Sequence, residues 1–329
     1  MNEGSFSRYG AQGGTNMEIV KIVMPTPYDE GDVNGFLVKG DALSIFDVGP
    51  KTKEAYEALE YGIKSAGYRL EDIEQVILTH HHPDHAGWVD AFPKAEIMAH
   101  EYVDHWMRKT EEFLNYREEF YKIHMIKQAV PEDSMERILR IRREMELYGS
   151  IPLTKTIEDG DEVPGHPGLI AYYTPGHAQS HFIFYHQQTR EVIGGDLLLE
   201  KIASNPLVEP PVDLSFHRPK SLVQYQESMK FLAALDVSTV YSGHGNEVAN
   251  VKELVEMRLE RDSMRANQVY EILEQPKTVY EVTKTLYPTV YESQLGLTLS
   301  KTQGYLDLLV KEERIRCELV GEHEIYSRI

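Results

Sequence analysis

The chain has 329 residues, 41% of them hydrophobic, with a formal net charge of −19 and one cysteine, Cys317. That is apolar content for a sizeable core and length for two domains, and it excludes an intrachain disulfide and any membrane helix, which needs about 18 consecutive apolar residues. The acidic surplus opposes loose binding to nucleic acid or anionic lipid, and without a secretory apolar stretch a cytoplasmic location is expected.

In chain order, residues 1–16 are Gly-rich and polar and are expected to be a disordered leader, with the fold starting at Met17. Short strands are predicted at 18–23, 35–39 and 42–46, and a helix at 53–66 with Tyr56, Leu59 and Ile63 in register. Strands follow at 76–79 and 96–99. Behind the first of these stands Thr79-His80-His81-His82-Pro83-Asp84-His85. Imidazole and carboxylate together suit zinc and similar divalent ions. A strand end running into a tight turn aims alternate side chains at one point, so His80 and His82 reach one ion, and Asp84 and His85 a second.

Residues 101–150 hold almost no Gly or Pro. Trp106, Phe113, Tyr116, Phe120 and Met125 recur near helical spacing, and a second helix is expected from Pro131 to Met145. The stripe reads as buried packing. As an insertion it is placed to roof a cleft; a dimer contact is the other use. Strand character returns over 151–200. Three later segments each end an apolar run in a glycine turn carrying a ligand-type residue: Thr174-Pro175-Gly176-His177, Ile193-Gly194-Gly195-Asp196 and Ser242-Gly243-His244-Gly245. Glycine permits the sharp turn and close backbone approach this needs. His181 reads as a core histidine. The proline-rich stretch 204–219 cannot be helical; it borders the site, with Phe216, His217 and Arg218 as candidates for substrate contact or as plain loop residues. Helices are expected at 221–235 and 250–269, the latter a hinge to a tail with helices at 278–286 and 300–311 and a hairpin across Gly321-Glu322.

With these residues in order the chain resembles the metallo-β-lactamase superfamily over roughly residues 17–265. The resemblance implies an αββα sandwich with a helical insertion at 101–150. It implies two divalent ions, zinc first and iron or manganese as alternatives. One is held by His80, His82 and His177, the other by Asp84, His85 and His244, with Asp196 between them. Asn34-Gly35-Phe36-Leu37 and Phe46-Asp47-Val48-Gly49 match the opening strands, and Asp47 becomes either an acceptor for a ligand histidine or a plain turn residue. The expected chemistry is hydrolysis by a hydroxide shared between the ions, with Asp84 and Asp196 as catalytic carboxylates.

The substrate expected is a small-molecule ester, thioester or lactone. Quorum-signal lactonases of the superfamily carry a Tyr where this chain has Leu199, and the glyoxalase II type ends in a different helical domain. Residues 266–329 resemble a winged-helix domain, as in ribonucleases of the superfamily, so cleavage of single-stranded RNA is the alternative. Seven Lys or Arg against ten Asp or Glu in that tail disfavour nucleic acid and favour packing or homodimerisation. An iron-dependent oxygenase is a further alternative; its relatives leave the second ion site incomplete, which this chain does not.

Overall fold

The computed structural model describes residues 6–9, 18–142 and 145–329. Its first half supplies β1 (Phe6–Tyr9), β2 (Glu18–Met24), β3 (Val33–Lys39), β4 (Leu43–Phe46), α1 (Lys53–Ser65), β5 (Gln75–Ile77), α2 (Pro83–Ala86), β6 (Glu96–Ala99), α3 (Tyr102–Arg108), α4 (Glu111–Lys127), α5 (Glu132–Arg142) and β7 (Lys155–Thr156). The seven strands form one sheet in chain order, antiparallel from β1 to β4 and parallel from β4 to β7. The second sheet is ordered β11-β10-β9-β8, from β8 (Leu169–Tyr173), β9 (Phe182–His186), β10 (Glu191–Gly195) and β11 (Thr239–Ser242), with α6 (Ser221–Ala234) and α7 (Val251–Ile272) alongside.

Strand alternation sorts the side chains into three layers. Phe36, Phe46 and Ile77 of the first sheet meet Phe182, Phe184 and Ile193 of the second. Phe46 and Phe184 stand edge to face at 5.0 Å, an arrangement worth roughly 0.5–1.5 kcal/mol beyond the area it buries. The alternate residues of the first sheet, Val20, Leu37, Ile45 and Val76, face α1 and α3. Those of the second, Ile183, Val192 and Val240, face α6, α7 and the tail. The fold is thus the expected αββα sandwich. In α1 the sequence reasons are plain: Thr52 caps the Ala55 amide, Lys64 sits in the last turn, and Ala55, Leu59 and Ile63 form the buried stripe.

The tail comprises β12 (Lys277–Thr278), α8 (Val279–Leu286), α9 (Leu295–Lys311), β13 (Ile315–Val320) and β14 (His323–Arg328). Thr278 and Glu281 make a reciprocal capping box that starts α8. The predicted hairpin forms, with β14 also pairing β12. Helix α9 packs on α6, α7 and α8 and is buried along most of its length.

Two expectations change. Within the segment read as a leader, residues 6–9 pair antiparallel with β2; β2 offers an otherwise open sheet edge, which draws in a strand whatever its composition. The other residues of 1–16 lie outside the described residues. Helix α7, expected to be a hinge, is held in the core: Leu254, Val255, Ala266 and Val269 share one apolar cluster with Leu222 of α6 and Leu306 of α9.

Candidate metal centre

All seven predicted side chains meet at one rim of the sandwich. His80 and His82 leave the end of β5, and Pro83 starts α2, which carries Asp84 and His85. His177 sits in the β8–β9 turn. Asp196 follows β10, whose register shifts between Ile193 and Gly195; such a bulge re-aims the next side chain. His244 follows β11, and its turn is tied to the other sheet by the Asn34 side chain, which donates to the carbonyls of Ser242 (2.8 Å) and Gly245 (3.0 Å). Gly243 is obligatory for closeness: a Cβ there would lie 2.2 Å from Asp196 Oδ1 and 2.8 Å from His85 Cε1.

The ring nitrogens fall into two groups. His80 Nε2 lies 3.1 Å from His82 Nδ1 and 3.2 Å from His177 Nε2. On the other side His244 Nε2 lies 3.2 Å from Asp84 Oδ2, and His85 Nε2 3.7 Å from the same oxygen. Asp196 stands between: Oδ1 is 3.4 Å from His85 Nε2, and Oδ2 is 3.4 Å from His177 Nε2 and 3.6 Å from His244 Nε2. Ligand atoms of His80, His82 and His177 cluster tightly enough for one ion, as do those of Asp84, His85 and His244.

The outward nitrogens decide what the inward ones offer. The Thr79 hydroxyl donates to Asp47 (2.8 Å) and therefore accepts from His80 Nδ1 (2.9 Å). His85 Nδ1 donates to Asp47 Oδ2 (2.8 Å), His177 Nδ1 to the Asn205 carbonyl (3.1 Å) and His244 Nδ1 to the Asp32 carbonyl (2.9 Å). His82 is reversed: its Nε2 donates to Glu209 Oε1 (2.9 Å). Five neutral imidazoles held this way turn five bare lone pairs inward, the arrangement metal-ligating histidines need. His85 Nε2, His244 Nε2 and Asp196 Oδ1 are buried with no hydrogen-bond partner, a cost that a cation would remove. The residues therefore fit two divalent ions.

Without a cation, protons take part of that place. Burial lowers the affinity of the His244 ring for a proton, but Asp196 and Asp84 lift its pKa to about 9. His85 is raised well above the usual range despite burial, by Asp196, Asp84 and Asp47. His177 is pushed down to about 3 by burial and by His82, and burial likewise holds His80 well below the ordinary value. Burial favours protonating Asp196, yet His244 and His85 keep it well below the carboxylate range.

Of the two roles the sequence offers Asp47, the structure has it accept from a candidate ligand, His85. Its carboxylate also takes the Thr79 amide at 2.8 Å. His181 is a core residue: its Nδ1 meets the Thr174 hydroxyl, and its Nε2 accepts the Asp196 amide. Phe216, His217 and Arg218 do not line the cavity. Phe216 leans on Tyr116, and Arg218 makes a bidentate ion pair with Asp307 of α9 at 2.5 and 2.7 Å. Phe216 thus faces the insertion and Arg218 the tail, where a cation is needed to match a buried carboxylate, while His217 is exposed. Glu209 escapes sequence reasoning: a lone acid in a proline-rich loop has no spacing that ties it to His82, 127 residues away. Its position soon after Asp196 is the one available signal.

A cavity of about 700 Å³ opens from His82, Asp84, His177, Asp196 and His244. The insertion lines it with Trp106, Tyr121, Ile138 and Tyr148, and the post-β10 loop with Leu199, Ile202 and Leu207. The tail contributes residues 292–297, at the start of α9. Beyond Asp84, Asp196 and Glu209, its charged members are Asp29, Glu30, Glu292, Arg117 and Arg137. Residues of 101–150 thus form one wall of the cleft.

The profile of the metallo-β-lactamase superfamily matches residues 28–244. "Probable metallo-hydrolase YqjP" of Bacillus subtilis (strain 168) is 39% identical over 303 residues, 92% of this chain and 95% of that protein. The crystal structure of a metallo-β-lactamase family protein from Thermus thermophilus superposes with a TM-score of 0.77 at 26% identity, covering 94% of this chain and 98% of that one. A β-lactamase domain protein from Burkholderia ambifaria has the same TM-score at 16% identity, covering 98% and 94%, a likeness of fold.

Proposed function

Since this chain belongs to the metallo-β-lactamase superfamily as a metallo-hydrolase, we propose that it hydrolyses a small-molecule ester, thioester or lactone with an apolar acyl or aryl part. The observation that carries the reading is the cavity: its volume, about 700 Å³, is that of a small-molecule site. Its wall beside the candidate centre is largely aromatic and aliphatic.

The ligand set would be His80, His82 and His177 for one ion, Asp84, His85 and His244 for the other, and Asp196 for both. Two such ions, zinc for preference from the imidazole and carboxylate donors, lower the pKa of water and polarise the bond to be cleaved. The chain's own contribution is positional. Asp47, Thr79 and Glu209 keep the ring lone pairs turned inward. Asp84, at the cavity wall, accepts the proton of the attacking water and returns it to the departing oxygen or sulfur. Trp106, Tyr148 and Leu199 seat the apolar part and keep bulk water from it.

The competing substrate, single-stranded RNA, needs a basic track. The cavity instead mixes Asp29, Glu30 and Glu292 with two arginines. A hydrolysis panel of acyl esters, thioesters, lactones and a single-stranded oligoribonucleotide, run with zinc, manganese and iron loading, tests the reading. Turnover of apolar acyl substrates with zinc supports it. Cleavage of the oligoribonucleotide alone overturns it, as does uptake of one iron with no hydrolysis.

A further inference from the structure

The buried carboxylate of Glu209 is not among the seven candidate ligands, yet it touches one of them. We propose that Glu209 is a positioning residue for the ion held by His80, His82 and His177, acting through His82. This rests on the metal-centre reading above.

His82 is the odd ligand of the set. The other four histidines turn Nε2 inward, whereas His82 turns Nδ1 to His80 at 3.1 Å. A ring presented by Nδ1 brings its backbone closer to the centre, so its rotation must be fixed from the far side. Glu209 Oε1 does this, accepting from His82 Nε2 at 2.9 Å. The carboxylate is itself anchored. Oε2 accepts the Gln179 amide at 2.9 Å, two residues beyond His177. Oε1 also lies 3.3 Å from His81 Nε2. His81 cannot swing to the centre in place of its neighbour: its Nδ1 meets the Ser180 hydroxyl at 2.8 Å, and its ring stacks on Trp106 at 4.1 Å. One buried carboxylate therefore orients His82 and braces the turn that carries His177. Carboxylates behind metal-ligating histidines raise ligand basicity as well as fixing the ring, and their removal weakens binding roughly 10- to 100-fold. The effect should be confined to one ion, because Asp84, His85 and His244 have their own partners.

The test is a zinc titration of the purified full chain against a competing chromophoric chelator, with thermal unfolding in excess chelator alongside. In Glu209→Ala one of two zinc ions should loosen by roughly 10- to 100-fold while the other keeps its affinity. In Glu209→Gln, where an amide oxygen still accepts from His82 Nε2, the loss should be smaller. A merely structural role would lower the unfolding temperature and leave the ratio of the two affinities unchanged. That result overturns the proposal, as does wild-type affinity at both sites in Glu209→Ala, or a loss in Glu209→Gln as large as in Glu209→Ala. If the wild-type chain takes up no zinc, the metal-centre reading itself falls and this inference with it. If the wild type takes up two and Glu209→Ala matches it, the inference alone falls.

Discussion

Asp307→Ala should destabilise the protein by about 3–5 kcal/mol, the usual cost of stripping one partner from a buried ion pair. Asp307 and Arg218 have side chains 5% and 11% exposed, and the two contacts are bidentate. Asp307 also accepts from Gln303 Nε2 at 3.2 Å, and Gln303 in turn accepts from Gln128 of the insertion and donates to Tyr326 of β14. Removing the carboxylate leaves a guanidinium that keeps its contact to the Pro219 carbonyl at 3.3 Å but has lost its counter-charge. Water cannot reach it freely. Replacing both partners, Arg218→Met with Asp307→Leu, removes the charge and fills the space, so most of the loss should return. Urea unfolding followed by circular dichroism measures the single variants and the pair, and the double-mutant cycle isolates their coupling. KM should change less than about twofold, because neither residue lines the cavity. A single-variant loss below about 1 kcal/mol, or a double variant as unstable as the sum of the singles, would refute the argument.

Three other outcomes are expected. Elemental analysis of wild-type protein should give close to two divalent ions per chain, and His85→Ala should lower that content together with hydrolysis; unchanged metal would remove His85 from the ligand set. Leu297→Trp, placed in the tail's part of the cavity wall, should raise KM for long acyl esters several-fold more than for acetyl esters; equal effects would mean the tail does not bound the substrate. In chelator-treated protein His244 titrates near pH 9, above the unfolded value of about 6.5. Its contribution, at most about 3 kcal/mol from that difference, is fully present below pH 6.5 and is lost as the pH rises through 9. The urea midpoint should accordingly fall as the pH is raised from about 6.5 to about 9.5, and a flat or rising midpoint would contradict the assigned His244 contacts.

The seven candidate ligands are legible in the sequence because His80, His82, Asp84 and His85 share one short run behind β5, while His177, Asp196 and His244 each follow a strand in a glycine turn. Helices such as α1 and α4 are legible from periodic apolar positions. The contacts that orient the ligands are not, since they join distant segments through single residues without repeat or motif: Glu209 to His82, the Asp32 carbonyl to His244, the Asn205 carbonyl to His177. Arg218 shows the converse. A cation in a loop beside the site invites a substrate role, and only the tertiary placement of Asp307 assigns it elsewhere. The β1 strand is hidden because its pairing is supplied by backbone groups of β2, which composition does not reveal.

The cavity is walled partly by residues 27–30 and partly by residues 292–297. A growing polypeptide therefore has every candidate ligand once residue 244 has emerged, but it has no closed chamber until the first turn of α9 follows. A chain stopped near residue 290 would keep every candidate ligand yet lack both that wall of the chamber and the part of the core that α9 shares with α6 and α7.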